Sequence, residues 1–138
     1  MCEPTALLPT GDIIQTHAKP AGHGYYANFD PHAVRVAKQN ARKNRVDGRL
    51  KIFRGDLTKM PRKPARQYDL VCANLISDLL VAERRRIVNR FKPGGTLVLA
   101  GILAAEFDQV ESAFADAKLK LRSSRAENEW RSGAFCFF

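Results

Sequence analysis

The 138-residue sequence predicts a doubly wound α/β fold closed by an antiparallel hairpin, and three observations carry that reading. Stretches of strand character alternate with amphipathic helical stretches, the pattern of a mostly parallel sheet covered by helices. Leu70 to Ala73 and Thr96 to Leu103 are continuous apolar runs rather than alternating ones, as expected where both sheet faces are covered. At the C-terminus two strands follow one another with no helix between them, which calls for a hairpin.

Taken in order, residues 1–24 contain Pro4, Pro9, Gly11, Pro20, Gly22 and Gly24 and read as an irregular lead-in, with Leu7-Leu8 and Ile13-Ile14 its apolar centres. Tyr25 to Phe29 is a short strand. Asp30-Pro31 starts a helix, because Asp caps free amides and proline at the first helical position loses no hydrogen bond. Val34, Ala37 and Ala41 then mark its buried face, and Arg35, Lys38, Arg42 and Lys43 its solvated one. Arg49 to Arg54 alternates as a strand, Gly55-Asp56 ends it, and Lys59 to Arg66 forms a basic loop with Pro61 and Pro64. After the strand ending at Asn74, Ser77 caps a helix running to Arg90, with Leu80, Ile87 and Phe91 inward. Lys92-Pro-Gly-Gly95 stops the helix and turns into the strand from Thr96. Phe107, Val110, Phe114 and Ala117 define a third helix, and Lys118 to Arg122 and Trp130 to Phe138 the final strands. No linker divides the body, so residues 25–138 make one domain behind the lead-in.

Composition narrows the setting. A net charge of +9 with a pI near 9.9 favours acidic or polyanionic partners, a statement about association rather than fold. Cys2, Cys72 and Cys136 form no CxxC pair, so neither a zinc knuckle nor a redox motif is available, and Cys72 reads as a small core residue in a reducing cytosol. Asn74, Ser77 and Asp78 interrupt the longest apolar stretch well short of the ~18 residues of a membrane span. The N-terminus lacks a signal-peptide pattern, and a cytoplasmic location is expected.

The residue that points to chemistry is Asn74, a polar side chain at the carboxyl end of a buried strand, where open α/β sheets bind ligands. Asp56 stands at the end of the preceding strand, as either a ligand contact or a turn residue, and Asp30 reads foremost as a helix cap. Trp130 reads as an aromatic anchor at the sheet edge.

Four ordered segments resemble a known family. Asn28-Phe-Asp-Pro-His-Ala-Val-Arg-Val-Ala-Lys-Gln-Asn-Ala-Arg-Lys-Asn44 resembles the second-strand motif of class I S-adenosylmethionine-dependent methyltransferases. More narrowly it is similar to the PrmA family, which methylates the eleventh protein of the large ribosomal subunit. Ala73-Asn-Leu-Ile-Ser-Asp-Leu-Leu80, Lys92-Pro-Gly-Gly95 with Ala100-Gly-Ile-Leu103, and Glu129-Trp130 resemble further segments of that family, so the likeness covers residues 25 to 135. The resemblance implies a Rossmann-like methyltransferase sheet, S-adenosylmethionine as methyl donor, and an amine of a ribosomal protein as acceptor. It also implies ribose contact at Asn28 and Asp30, adenine contact at Asp56, and Asn74 beside the methionine moiety and the entering amine.

The chain departs from the family pattern twice. The glycine-rich loop after the family's first strand (Asp-x-Gly-x-Gly-x-Gly) is absent, which leaves the central sheet position vacant unless the lead-in fills it. The ribose-binding acid is replaced by Asn28, a neutral acceptor. Both departures imply a methyltransferase domain incomplete at its N-terminus, with weakened cofactor affinity. Two other readings stay open: a non-catalytic remnant binding RNA or a protein through the loop Lys59 to Arg66, and a nucleic-acid methyltransferase. The latter is opposed by Asn74-Leu-Ile-Ser77, which lacks the aromatic clamp for a flipped base.

Overall fold

The computed structural model describes residues 12–16 and 24–138. Among them the strands are β1 (Asp12–Thr16), β2 (Gly24–Asn28), β3 (Leu50–Arg54), β4 (Tyr68–Asn74), β5 (Phe91–Leu103), β6 (Leu119–Glu127) and β7 (Trp130–Phe137). The helices are α1 (Pro31–Lys43), α2 (Ser77–Ala82), α3 (Arg84–Val88) and α4 (Phe107–Asp116). One seven-stranded sheet results, in the order β3-β2-β1-β4-β5-β7-β6. β2 pairs parallel with β3 and β4 parallel with β5, whereas β7 runs antiparallel to both β5 and β6, which is the expected closing hairpin. The crossovers β2-α1-β3 and β4-α2-α3-β5 step outward in opposite directions from the centre. With right-handed connections they cover opposite faces of the sheet, so the doubly wound class is met.

The lead-in is corrected in part. Residues 12–16 form strand β1 in the vacant central position, antiparallel to β2 (Ile14 opposite Tyr26) and to β4 (Ile14 opposite Cys72). The reversed direction follows from chain length. Only residues 17–23 separate β1 from β2, and a parallel crossover needs a dozen or more residues. The rest of the lead-in, Gly22 included, lies outside the described residues.

The main core packs between the sheet and α2, α3 and α4. Val71, Leu97, Leu99, Phe107, Val110, Phe114 and Phe135 are all fully buried there. Helix α1 seals its own face with smaller side chains, Ala33, Val34, Ala37 and Ala41.

Four local expectations change. Ile76, in extended conformation, caps α2, and Ser77 is its first residue, buried with its hydroxyl donating to Glu106 Oε2 at 2.6 Å rather than capping the helix. The helix expected to run on to Arg90 breaks at Glu83 into α2 and α3. Lys92-Pro-Gly-Gly95 belongs to the irregular start of β5: between Phe91 and Thr96 the partner strand advances only from Tyr68 to Leu70, so these residues bulge. A Cβ at Gly95 would lie 2.7 Å from the Asp69 carbonyl oxygen, which is why the bulge needs glycine there. Trp130, expected as an anchor at the sheet edge, starts the second strand from the edge, pairs with Leu103, and leaves 45% of its surface exposed.

Candidate functional site

The parallel strands β2, β3 and β4 all end on one side of the sheet, and a recess opens there. It encloses about 350 Å³ including its open mouth. Ala27 and Phe29 come from the end of β2, Gly55, Asp56, Leu57 and Met60 from the segment after β3, and Leu75 and Leu79 from the segment after β4. The walls are therefore apolar, with a single carboxylate among them. Such a slot accepts a flat, mostly apolar group that carries a hydrogen-bond donor at one edge.

Each expected residue has a definite place. Asp56 caps the short 3₁₀ turn Leu57–Lys59, its Oδ1 accepting from Thr58 N at 3.0 Å and from Thr58 Oγ1 at 2.7 Å. The Thr58 hydroxyl, then its N–H, hold the carboxyl below the ordinary carboxylate range, so it is an ionised acceptor at neutral pH. Its Oδ2 is available at the rim. Asp30 caps α1, accepting from His32 N at 2.9 Å, and is exposed. Asn28 is only 1% exposed. Its carboxamide oxygen accepts from Asp30 N at 2.8 Å, and its amide nitrogen lies 3.5 Å from Tyr26 Oη. Asn28 thus fixes the turn from β2 into α1, and Gly55 N donating to its carbonyl at 3.0 Å ties that turn to the end of β3.

Asn74 closes β4 in register with Ala100 of β5 and, on its other side, with Asp12 of β1. Gly101 follows at φ +78°, and a Cβ there would lie 2.6 Å from Asn74 Oδ1 and 2.9 Å from the Leu75 carbonyl oxygen. The Asn74 side chain therefore rests over a position that only glycine leaves open. Leu75 N donating to the Ala100 carbonyl at 3.2 Å, and Ser77 to Glu106, bind the segment after β4 to β5 and to the turn that follows it. The sequence reading singled out Asn74 and Asp56 but missed Gly101, Leu75, Leu79 and Met60. An isolated glycine inside the apolar run Thr96 to Leu103 is the signal that could have found Gly101.

The chain direction of β1 matters here. Because β1 is reversed, its first residue, Asp12, sits at the end of the sheet where the recess opens, the place at which a parallel first strand would deliver its following loop. Among the described residues no group of three His, Cys, Asp or Glu side chains could hold a metal ion. None of their helices is long and apolar enough to cross a membrane.

Comparison with known proteins gives one family. Residues 17–135 match the family described as ribosomal protein L11 methyltransferase (PrmA). Two relatives carrying the same description come from Pelobacter propionicus, 33% identical over 110 residues, and Ralstonia nicotianae, 35% identical over 120 residues. Those alignments take in 80% and 86% of this chain but only 34% and 38% of the relatives, so the chain spans about a third of their length. Among solved structures, the ribosomal protein L11 methylase of Lactobacillus delbrueckii subsp. bulgaricus superposes with a TM-score of 0.65 at 17% identity, over 80% of this chain and 55% of that one. The tRNA m1G37 methyltransferase of M. jannaschii superposes at 0.66 and 16% identity, over 82% and 37%. At those identities the superpositions speak for the Rossmann-like methyltransferase fold alone.

Proposed function

This chain belongs to the PrmA family, and on that premise we propose that it forms the cofactor-binding domain of an S-adenosylmethionine-dependent protein methyltransferase acting on an amine of ribosomal protein L11. The observation that carries the proposal is the apolar slot with Asp56 at its rim, bordered at the end of β4 by an asparagine held over Gly101.

The donor set suits the cofactor. The apolar walls would take the adenine ring, with Asp56 accepting from its exocyclic amine. The turn after β2 would meet the ribose, with the exposed carboxylate of Asp30 as the charged acceptor there. Asn28, buried beneath that turn, would act by holding Asp30 N in place. Bound S-adenosylmethionine would supply an electrophilic methyl group. The chain's own part is positional: Asn74 accepts a hydrogen bond from the incoming neutral amine and so aims its lone pair, and no protein nucleophile is needed. A protein of this activity works in the cytoplasm, where its ribosomal substrate is made.

The test is methyl transfer to L11 with labelled donor, comparing the native chain with Asn74→Ala. We expect the substitution to abolish labelling while the melting temperature stays within about 2–4 °C, as for a loss below ~1 kcal/mol in a domain of this size. Surviving activity combined with a lower melting point would make Asn74 a strand cap and nothing more.

A further inference from the structure

The basic loop expected from the sequence has an ordered construction of which the slot uses only the side chain of Met60. Three consecutive carbonyls of the loop are caught by the far end of one helical segment. Met60 O accepts from Arg86 Nη1 at 3.2 Å, Pro61 O from Arg90 Nη2 at 3.2 Å, and Arg62 O from Asn89 Nδ2 at 2.8 Å. Gln67 Nε2 closes the staple by donating to Asn89 O at 3.3 Å. Arg90 is 4% exposed, and its own carbonyl accepts from Tyr68 N at 2.8 Å, so the staple is anchored in the core rather than laid on the surface.

Fixing the backbone this way turns the loop's cations outward. Lys59, Arg62, Lys63, Arg66 and Arg85 are all exposed. Among the described residues none of them forms an ion pair, although Lys59 acts on Asp56 at longer range; the ion pairs of this region join Arg86 to Glu83 and Lys92 to Asp69. Residues 59–92 hold nine Lys and Arg against three Asp and Glu, whereas residues 93–138 hold five against six. Like charges collected on an ordered surface repel one another, and a polyanion relieves that repulsion.

The surface also lacks what a protein partner requires. Protein interfaces are built around buried aromatic or aliphatic anchors. Among the described residues the exposed large apolar side chains are Phe29, Ile76, Leu103, Trp130 and Phe138, none of them within the loop or α3. Phosphates need no such anchor, and guanidinium groups bind them through two parallel hydrogen bonds. We propose that Lys59, Arg62, Lys63, Arg66 and Arg85 form a docking surface for the phosphate backbone of a nucleic acid. The staple holds it in shape, and no exposed aromatic reads or stacks the bases. The surface adjoins the slot through Met60 and Lys59, but its phosphate binding needs no cofactor and is tested without one.

The experiment is fluorescence anisotropy of labelled 20-nucleotide oligo(U) and oligo(dT) with the full chain across a salt series. Two triple variants remove equal charge: Arg62→Ala with Lys63→Ala and Arg85→Ala on the surface, and Lys38→Ala with Arg42→Ala and Lys43→Ala on α1. All six side chains are exposed and none is part of the staple, so both variants should fold, which circular dichroism checks. We expect the first triple to weaken binding about tenfold or more and to flatten the log–log salt slope by about 2, with the α1 triple within about threefold of the native chain. RNA and DNA should bind within about threefold of each other. Asn89→Ala, which loosens the staple without removing charge, should weaken binding severalfold at an unchanged salt slope. Equal losses from the two triples would reduce the effect to net charge and overturn the proposal. So would displacement of the probe by poly-glutamate as readily as by unlabelled oligo(U), which would point to an acidic protein, or an Asn89→Ala variant that binds like the native chain.

Discussion

The two halves of the sheet are built on different scales. The half made of β4, β5, β7 and β6 is closed by α2, α3 and α4 over large, fully buried side chains, among them Phe91, Phe107, Phe114 and Phe135. The half made of β2 and β3 is closed by α1 over alanines and Val34, and β1, joined to it by a short connection, runs backwards between the two. Burial of apolar area is the main favourable term in folding, so most of the stability belongs to the first half. The recess lies on the seam. Leu57, Met60, Leu75 and Leu79 of its lining belong to or pack against the large core, whereas Ala27 and Phe29 belong to the smaller half. A ligand there bridges a rigid wall and a more yielding one, and its binding energy adds to the weaker side.

That contrast can be broken from either half. Phe114→Ala should cost about 3–5 kcal/mol, a large share of the ~5–15 kcal/mol of a whole domain, and should unfold the sheet cooperatively in a denaturant titration. Val34→Ala in α1 removes two methyl groups and should cost only about 1–2 kcal/mol. Comparable losses from the two variants would mean that α1 carries as much of the core as α4.

Gly101→Ala probes the point where the large core meets the candidate site. A side chain at φ +78° costs about 1–2 kcal/mol in backbone alone. The new Cβ also displaces Asn74, so methyl transfer should fall further than the melting temperature accounts for. A variant that melts lower but keeps its activity in proportion to its folded fraction would separate Asn74 from the chemistry.

The smallest effect concerns Asp56. Its carboxyl is depressed in the folded chain, so the stability it contributes is present above its unfolded value and lost as pH falls through the lower folded value. Thr58→Ala removes the leading cause, and a ¹³C NMR titration should then place the Asp56 inflection closer to the ordinary carboxylate value. An unchanged inflection would assign the shift to the surrounding cations instead.

How much of this was legible in the sequence depends on the range of the force that decides each feature. The Asp30-Pro31 helix start, the α4 face of Phe107, Val110 and Phe114, and the terminal hairpin are set by near neighbours in the chain, and the structure has them as expected. Strand β1 is different: Ile13-Ile14 is too short a run to announce a strand, and it becomes one because β2 and β4 leave an unfilled ladder on either side. Ser77 looks like a cap by type, yet Ile76 takes that place because Glu106, 29 residues away, engages the serine hydroxyl. At the site, Asn74 and Asp56 were visible as polar residues at strand ends. The left-handed backbone of Gly101 and the partners that bury Asn28 are properties of the assembled sheet.

On the proposed function the recess would grip the nucleoside part of the cofactor, while the described residues carry no glycine-rich loop for its amino-acid tail. Calorimetric titration with adenosine and with S-adenosylhomocysteine tests it directly. Both should bind with high-micromolar affinity, within about threefold of each other, because the apolar slot and Asp56 would serve the part the two ligands share. Submicromolar binding of S-adenosylhomocysteine, with adenosine about a hundredfold weaker, would contradict it and would mean that residues ahead of Asp12 build the missing grip.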